Sequence, residues 1–308
     1  MVTPGKVVAG GWRWLLLLLL LAMPAGVPAA EPRFELSGEH SPLRLSASRE
    51  SSGLAPSRRG NDRLWLLNDS GSGPDLFLAE TGGTYAGTLH IRQAVNVDWE
   101  DMDSFLLDGK PYLLIADTGD NAARRDFCEI YIVPEPSFPV TGQILDAVPA
   151  WTIRFRYADG PRDCEAVAVD PVAKKILLIS KRDNPPGIYE LPLLPGRPHQ
   201  IQIARKIGTV RVERPLNAPI VPFGNQPTGL SLSADGSLAA ILTYHSVFLF
   251  PRVKGESWEQ AFARTPERQT PHRQAQGEAI TFSNDGRTIY VLSEGLLPPL
   301  LTYKRLGE

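Results

Sequence analysis

The stretch EAITFSNDGRTIYVLS, residues 278–293, decides the fold. It reads as two short β-rich runs closed by the tight turn Ser283, Asn284, Asp285, Gly286. A second copy, TGLSLSADGSLAAILT at residues 228–243, carries the same turn as Ser233, Ala234, Asp235, Gly236. Three further copies open on the same motif of a polar residue, a small or acidic residue and an aliphatic one. They are Ser52-Gly53-Leu54, Glu100-Asp101-Met102 and Glu165-Ala166-Val167. From the opening residue to the end of the next β-rich run is 15 residues at Glu165, Thr228 and Glu278, and 16 at Ser52 and Glu100. A shared period of this size marks a propeller blade or a solenoid unit.

Successive motifs start 48, 65, 63 and 50 residues apart. Only 30 residues follow Glu278, too few for a four-stranded blade, but 21 lie between Glu31 and Ser52 and open on a strand-like run from Arg33 to Leu36. Together the two ends make one more unit, as circular closure requires, and closure removes exposed sheet edges. The expected fold is all-β: a single β-propeller with five recognisable four-stranded blades, closed by the N-terminal strand. The long intervals between residues 100 and 228 leave room for a sixth, degenerate blade.

Composition agrees. The 27 Gly and 28 Pro among 308 residues are spread along the chain, which suits many turns between short elements and all but excludes a helical bundle. The best helix signal is the capping-box pair Ser257 and Gln260. With Lys+Arg 32 against Asp+Glu 34 the net charge is -2 and the pI near 6.2, so no nucleic-acid partner is expected.

Residues 1–30 read as a signal peptide. Lys6 and Arg13 precede an apolar run over residues 15–21, and Val27, Pro28, Ala29 and Ala30 form a small-residue cleavage region. An uncleaved anchor is the competing reading, but the run is short for a bilayer. Residues 31–308 are then an exported propeller domain, periplasmic or extracellular, with no stable membrane anchor after cleavage. Export would allow Cys128 and Cys164 to form a disulfide, and two buried thiols are the alternative.

The Ser-Ala-Asp-Gly and Ser-Asn-Asp-Gly turns with their following strands resemble the repeats of TolB-like and WD40-like bacterial propellers. The glutamate-small-aliphatic openings also resemble exported propellers of the phytase-like esterase and gluconolactonase types. The resemblance implies the architecture. The full metal-ligand set of none of those enzyme families is present.

In a propeller the start of the innermost strand and the end of the next meet at one mouth of the channel. Two rings follow from the alignment: Ser52, Glu100, Glu165, Thr228 and Glu278, then Asp69, Asp117, Lys181, Tyr244 and Glu294, with Arg182 and His245 one position further on. Carboxylates crowded in a mouth raise one another's pKa unless a cation compensates, and hard cations such as Ca2+ take oxygen ligands. Glu100, Glu165 and Glu278 are therefore the candidate ligands of Ca2+ or another divalent cation. The competing reading has these glutamates tie strand starts to neighbouring main-chain amides. Asp69, Asp120, Arg182, Tyr244 and His245 are candidate ligand-binding residues, and the oxygen-rich loops 68–75 and 117–126 add to the same face.

The five histidines show no zinc-pair spacing, and nucleophile-elbow, Walker and dinucleotide motifs are absent. The expected function is binding of a small-molecule or protein ligand at the acidic mouth. The alternative is metal-dependent hydrolysis of an ester, lactone or phosphoester. There Asp117 or Glu294 would move the proton, and Lys181 with Arg182 would meet the developing negative charge. Trp99 and Tyr244 would either wall the pocket or pack between blades.

Overall fold

The computed structural model describes residues 1–2, 33–43, 50–138, 141–197, 200–213 and 224–307. The chain divides into Met1–Glu31 and Pro32–Glu308, and all the described strands belong to the second unit. The signal-peptide reading lies outside the described residues. Among those described, no helix is long and apolar enough to cross a membrane, which leaves β-barrel spans unaddressed.

The N-terminal strand β1 (Phe34–Pro42) pairs with the far end of the chain. The next four strands form an antiparallel meander: β2 (Ser51–Pro56), β3 (Arg63–Asn68), β4 (Asp75–Glu80) and β5 (Tyr85–Ile91). A second meander holds β6 (Trp99–Leu107), β7 (Lys110–Asp117), β8 (Cys128–Pro134) and, beyond β9 (Gln143–Ala147), β10 (Trp151–Tyr157). A third comprises β11 (Cys164–Asp170), β12 (Lys175–Ser180), β13 (Gly187–Pro192) and β14 (Gln202–Thr209). The fourth is β15 (Gly229–Leu232), β16 (Leu238–Thr243), β17 (Ser246–Pro251) and, after helix α1 (Trp258–Phe262), the short β18 (Glu267–Arg268). The fifth runs β19 (Gly277–Phe282), β20 (Thr288–Ser293), β21 (Pro299–Arg305) and then β1, with Leu36 opposite Tyr303.

The first strands of these meanders pack in a closed circle, β2 on β6, β6 on β11, β11 on β15, β15 on β19 and β19 on β2. The fold is a β-propeller whose N-terminal strand completes the last sheet. Two outer strands depart from a plain blade. Strand β9 pairs in parallel with β5, and β10 pairs in parallel with β14, so the second and third meanders share one continuous sheet.

The core follows from this circle. The inner strands β11, β15 and β19 are buried on both faces, so their sequences are dominated by small and aliphatic residues rather than alternating, while β6 buries Glu100, Asp101 and Asp103. Five apolar clusters lie between successive meanders, among them Trp65 and Trp99 between the first and second, and Tyr303 with Phe282 between the fourth and fifth. Gly53 is required by close approach: a Cβ there would stand 2.8 Å from the Met102 nitrogen on the neighbouring inner strand. Cys128 and Cys164 share one such cluster as free, buried thiols. Burial pushes both thiols up to about 12.

The repeated turn is built identically in both copies. Ser233 Oγ donates to Asp235 and accepts the N–H of Leu238, while Ser283 Oγ donates to Asp285 and accepts the N–H of Thr288. Gly236 and Gly286 take positive φ, +66° and +68°. The capping box of Ser257 and Gln260 opens α1.

Candidate acidic site at the channel mouth

The opening residue has a distinct backbone position in four of the five repeats. The pairing of β2 with β3 skips Ser52, that of β6 with β7 skips Glu100, that of β11 with β12 skips Glu165, and that of β19 with β20 skips Glu278. Each is the extra residue of a β-bulge, which frees it from the ladder and re-aims its side chain. The hydroxyl members tie neighbouring blades: Ser52 Oγ donates to the carbonyl of Glu100 (2.6 Å) and Thr228 Oγ1 to that of Gly277 (2.6 Å). The three glutamates accept no main-chain amide among the described residues. That bridging role falls one position on, where Asp101 accepts the N–H groups of Val167 (2.7 Å) and Leu230 (3.3 Å).

Glu100 is the centre of the site. One of its oxygens lies within 4.8 Å of oxygens of Asp69 and Asp98, and one lies equally close to Asp163 and Glu165. It is buried, and after burial the largest influences on its pKa are other carboxylates, Glu165, Asp69, Asp98 and Asp163, while the Ser52 hydroxyl donates to its Oε2 (3.2 Å). Among the described residues no basic side chain bonds to it, and its pKa stands well above the usual carboxylate range.

The surroundings are graded. Burial pushes Glu165 up to about 7 even though Lys181 Nζ donates to it directly. Asp98 is pushed up to about 6, by burial first and then by Asp69 and Asp163. Glu278 is well above its usual value through burial, with Lys181 opposing. It stands near Lys181 and belongs to neither carboxylate trio. Glu294 is raised by burial and then by Asp69. Lys181 is held in its charged form by Glu165 and Glu278, and its ammonium sits 5.1 Å from the Tyr244 ring centroid.

The remaining predicted residues have defined partners. Asp117 is fully buried, pairs with Arg125 at 2.7 Å and accepts the N–H groups of Val97 and Asp98, so it orients the loop that carries Asp98. Asp120 accepts the N–H groups of Arg124 and Arg125 and thereby shapes its own turn. Arg182, at φ +67°, donates from Nε to Asp163 (2.6 Å). His245 turns inward and is buried next to Tyr244. Trp99 is packing: it is fully buried against Tyr131, and its indole N–H donates to Val95.

Asp98 and Asp163 are the site residues that the sequence reading passed over. Both stand two positions before a repeat opening, and the equivalent positions elsewhere are Glu50, Gln226 and Gln276. An acid or amide at that offset in all five copies is the signal that could have found them. Their carbonyls extend the ladder, since the N–H of Gly119 bonds to Asp98, that of Lys181 to Asp163 and that of Glu294 to Gln276. Gly119 itself lies against the carboxylates. A Cβ built there would stand 2.4 Å from both Asp98 Oδ2 and Glu100 Oε1.

No family model and no curated protein matches this chain. Similar solved structures include the WD40 repeats of RRP9, at 13% identity and TM-score 0.39 over 83% of this chain and 67% of that one. The structure of U3-55K gives 13% and 0.39 over 83% and 68%. The hydrazine synthase of Kuenenia stuttgartiensis gives 11% and 0.44 over 83% and 84%. At these identities the likeness concerns the fold alone.

Proposed function

We propose that this chain is an exported β-propeller, of the general kind of the TolB-like and phytase-like exported propellers. In this reading its channel mouth holds a hard divalent cation, Ca2+ above all, and through it binds a small ligand or a partner. The observation that carries the reading is Glu100, a buried carboxylate among four others to which no basic side chain bonds among the described residues. Such a group either keeps a proton or shares a cation, and the trios around it offer the oxygen-only ligand set that Ca2+ takes. Asp98, Glu100, Asp163 and Glu165 would hold the ion, with Asp69 on the solvent side. Export rests on the character of residues 1–30.

Binding is favoured over turnover because two of the groups a hydrolase would use are engaged. Asp117 is committed to Arg125 and two amides, and Lys181 to Glu165. The test is calorimetric titration of chelator-treated protein with Ca2+, beside its melting curve. Saturation at about a hundred times Kd should stabilise the fold by about 2.7 kcal/mol, and Glu100→Gln should remove both the heat and the shift. A wild-type protein that takes up no cation, with a melting curve indifferent to chelator, rules the reading out.

A further inference from the structure

A second polar cluster, outside both carboxylate trios, lies where the fourth and fifth meanders meet. His245 occupies the two-residue turn between β16 and β17, and His272 lies on the run from β18 to β19. The turn and the run are joined, because the carbonyl of Tyr244 accepts the N–H of Gly277 (3.0 Å). The His272 ring packs on that same Gly277: a Cβ there would stand 2.9 Å from its Cε1, 3.2 Å from its Nε2 and 3.3 Å from the Thr243 carbonyl. The two segments are thus held together although His245 and His272 stand 27 positions apart, and after burial the charge of His245 is what lowers the pKa of His272.

Both rings are buried, with 7% of His245 and 4% of His272 exposed. Among the described residues, His245 Nε2 and both ring nitrogens of His272 have no hydrogen-bond partner. Ser246 Oγ, Gln269 Nε2 and Gln274 Oε1, on the same two segments, have none either. The two amides are fixed by their other ends: Gln274 Nε2 donates to the Pro299 carbonyl (2.8 Å), and Gln269 Oε1 accepts the N–H of Phe34 (3.0 Å). A buried polar atom left without a partner destabilises the fold, and native folds rarely leave one so. A bound species that engages these atoms offsets that cost.

We infer that His245 and His272 form a site for a borderline transition-metal ion of the Zn2+ or Cu2+ class. Imidazole nitrogen suits these ions, whereas hard cations take oxygen, so the carboxylates of the mouth and this pair select different metals. No third His, Cys, Asp or Glu completes a group with them among the described residues. Neutral oxygen donors such as Gln274 Oε1 and Ser246 Oγ, or water carried by the ion, would fill the remaining positions. The site is independent of the proposed function of the mouth.

The experiment titrates the chain with Zn2+ by calorimetry, once without and once with excess Ca2+, so that uptake by the carboxylates is read separately. One Zn2+ per chain is expected, and His272→Gln and His245→Gln should each weaken it more than about tenfold while Ca2+ binding stays unchanged. Should either variant fail to fold by circular dichroism, Cu2+ bound to the wild type decides by electron paramagnetic resonance, which should display hyperfine coupling to two imidazole nitrogens. A folded wild type that takes up neither ion overturns the site, with internal water then pairing the rings. Undiminished binding in both folded variants, or Cu2+ without nitrogen coupling, overturns it equally.

Discussion

The carboxylate of Asp101 accepts the main-chain N–H of Val167 at 2.7 Å, joining the inner strand of the second meander to that of the third. The same oxygen also takes the N–H of Leu230, one meander further round. One fully buried side chain thus bridges three inner strands. Asp101→Ala leaves both amides unpaired and should cost about 3 kcal/mol. Asp101→Asn keeps an acceptor and should cost less. Urea unfolding with an unchanged m-value measures both.

Gly119 makes a different prediction, because its backbone needs no glycine and only the space beside it does. Gly119→Ala puts a methyl where Asp98 Oδ2 and Glu100 Oε1 lie. Ca2+ affinity should fall more than about tenfold with every ligand still present. Titration calorimetry beside a circular dichroism spectrum separates this from unfolding.

The raised carboxylates fix the sign of the pH response. Glu165 stands at about 7 against a usual 4.5, and Asp98 at about 6 against 3.8. Below their unfolded values neither group penalises the fold. As pH rises through 6 and 7 the folded state must ionise them in a crowded mouth, and stability falls by on the order of 2–3 kcal/mol. Chelator-treated protein should therefore melt lower at pH 8 than at pH 5. Saturating Ca2+ should remove that difference, and thermal melts across the range check it.

Closure of the ring is testable at its seam. Phe34 is buried edge-on against Phe282 (6.2 Å between centroids) from the opposite end of the chain. Phe34→Ala should lower global stability by about 3 kcal/mol, and the loosened edge of β21 should promote association. Denaturant unfolding with light scattering reads both effects.

Much of the architecture was legible in single residues. Glu278 and Thr228 open copies whose turns are built identically, and strands and turns depend on local chemistry: β-branched runs, Asp-Gly bends, small residues for close approach. The acidic mouth was legible in the glutamates of the same alignment. Its membership was less so. Asp98 and Asp163 sit just outside the β-rich runs, where a side chain's direction depends on how the bulge turns the strand. Asp117, in register with the predicted ring, is drawn away by Arg125, eight residues on.

By itself the sequence determined a closed β-propeller, because repeat period and strand pattern are written in adjacent residues. Only the tertiary structure decided which groups pair. It gave Lys181 to Glu165, whereas no basic side chain among the described residues bonds to Glu100. It also brought His245 and His272 together across two meanders. Pairing depends on distances of a few ångströms between segments far apart in the chain, set by inter-blade packing and by burial that strengthens every unpaired charge.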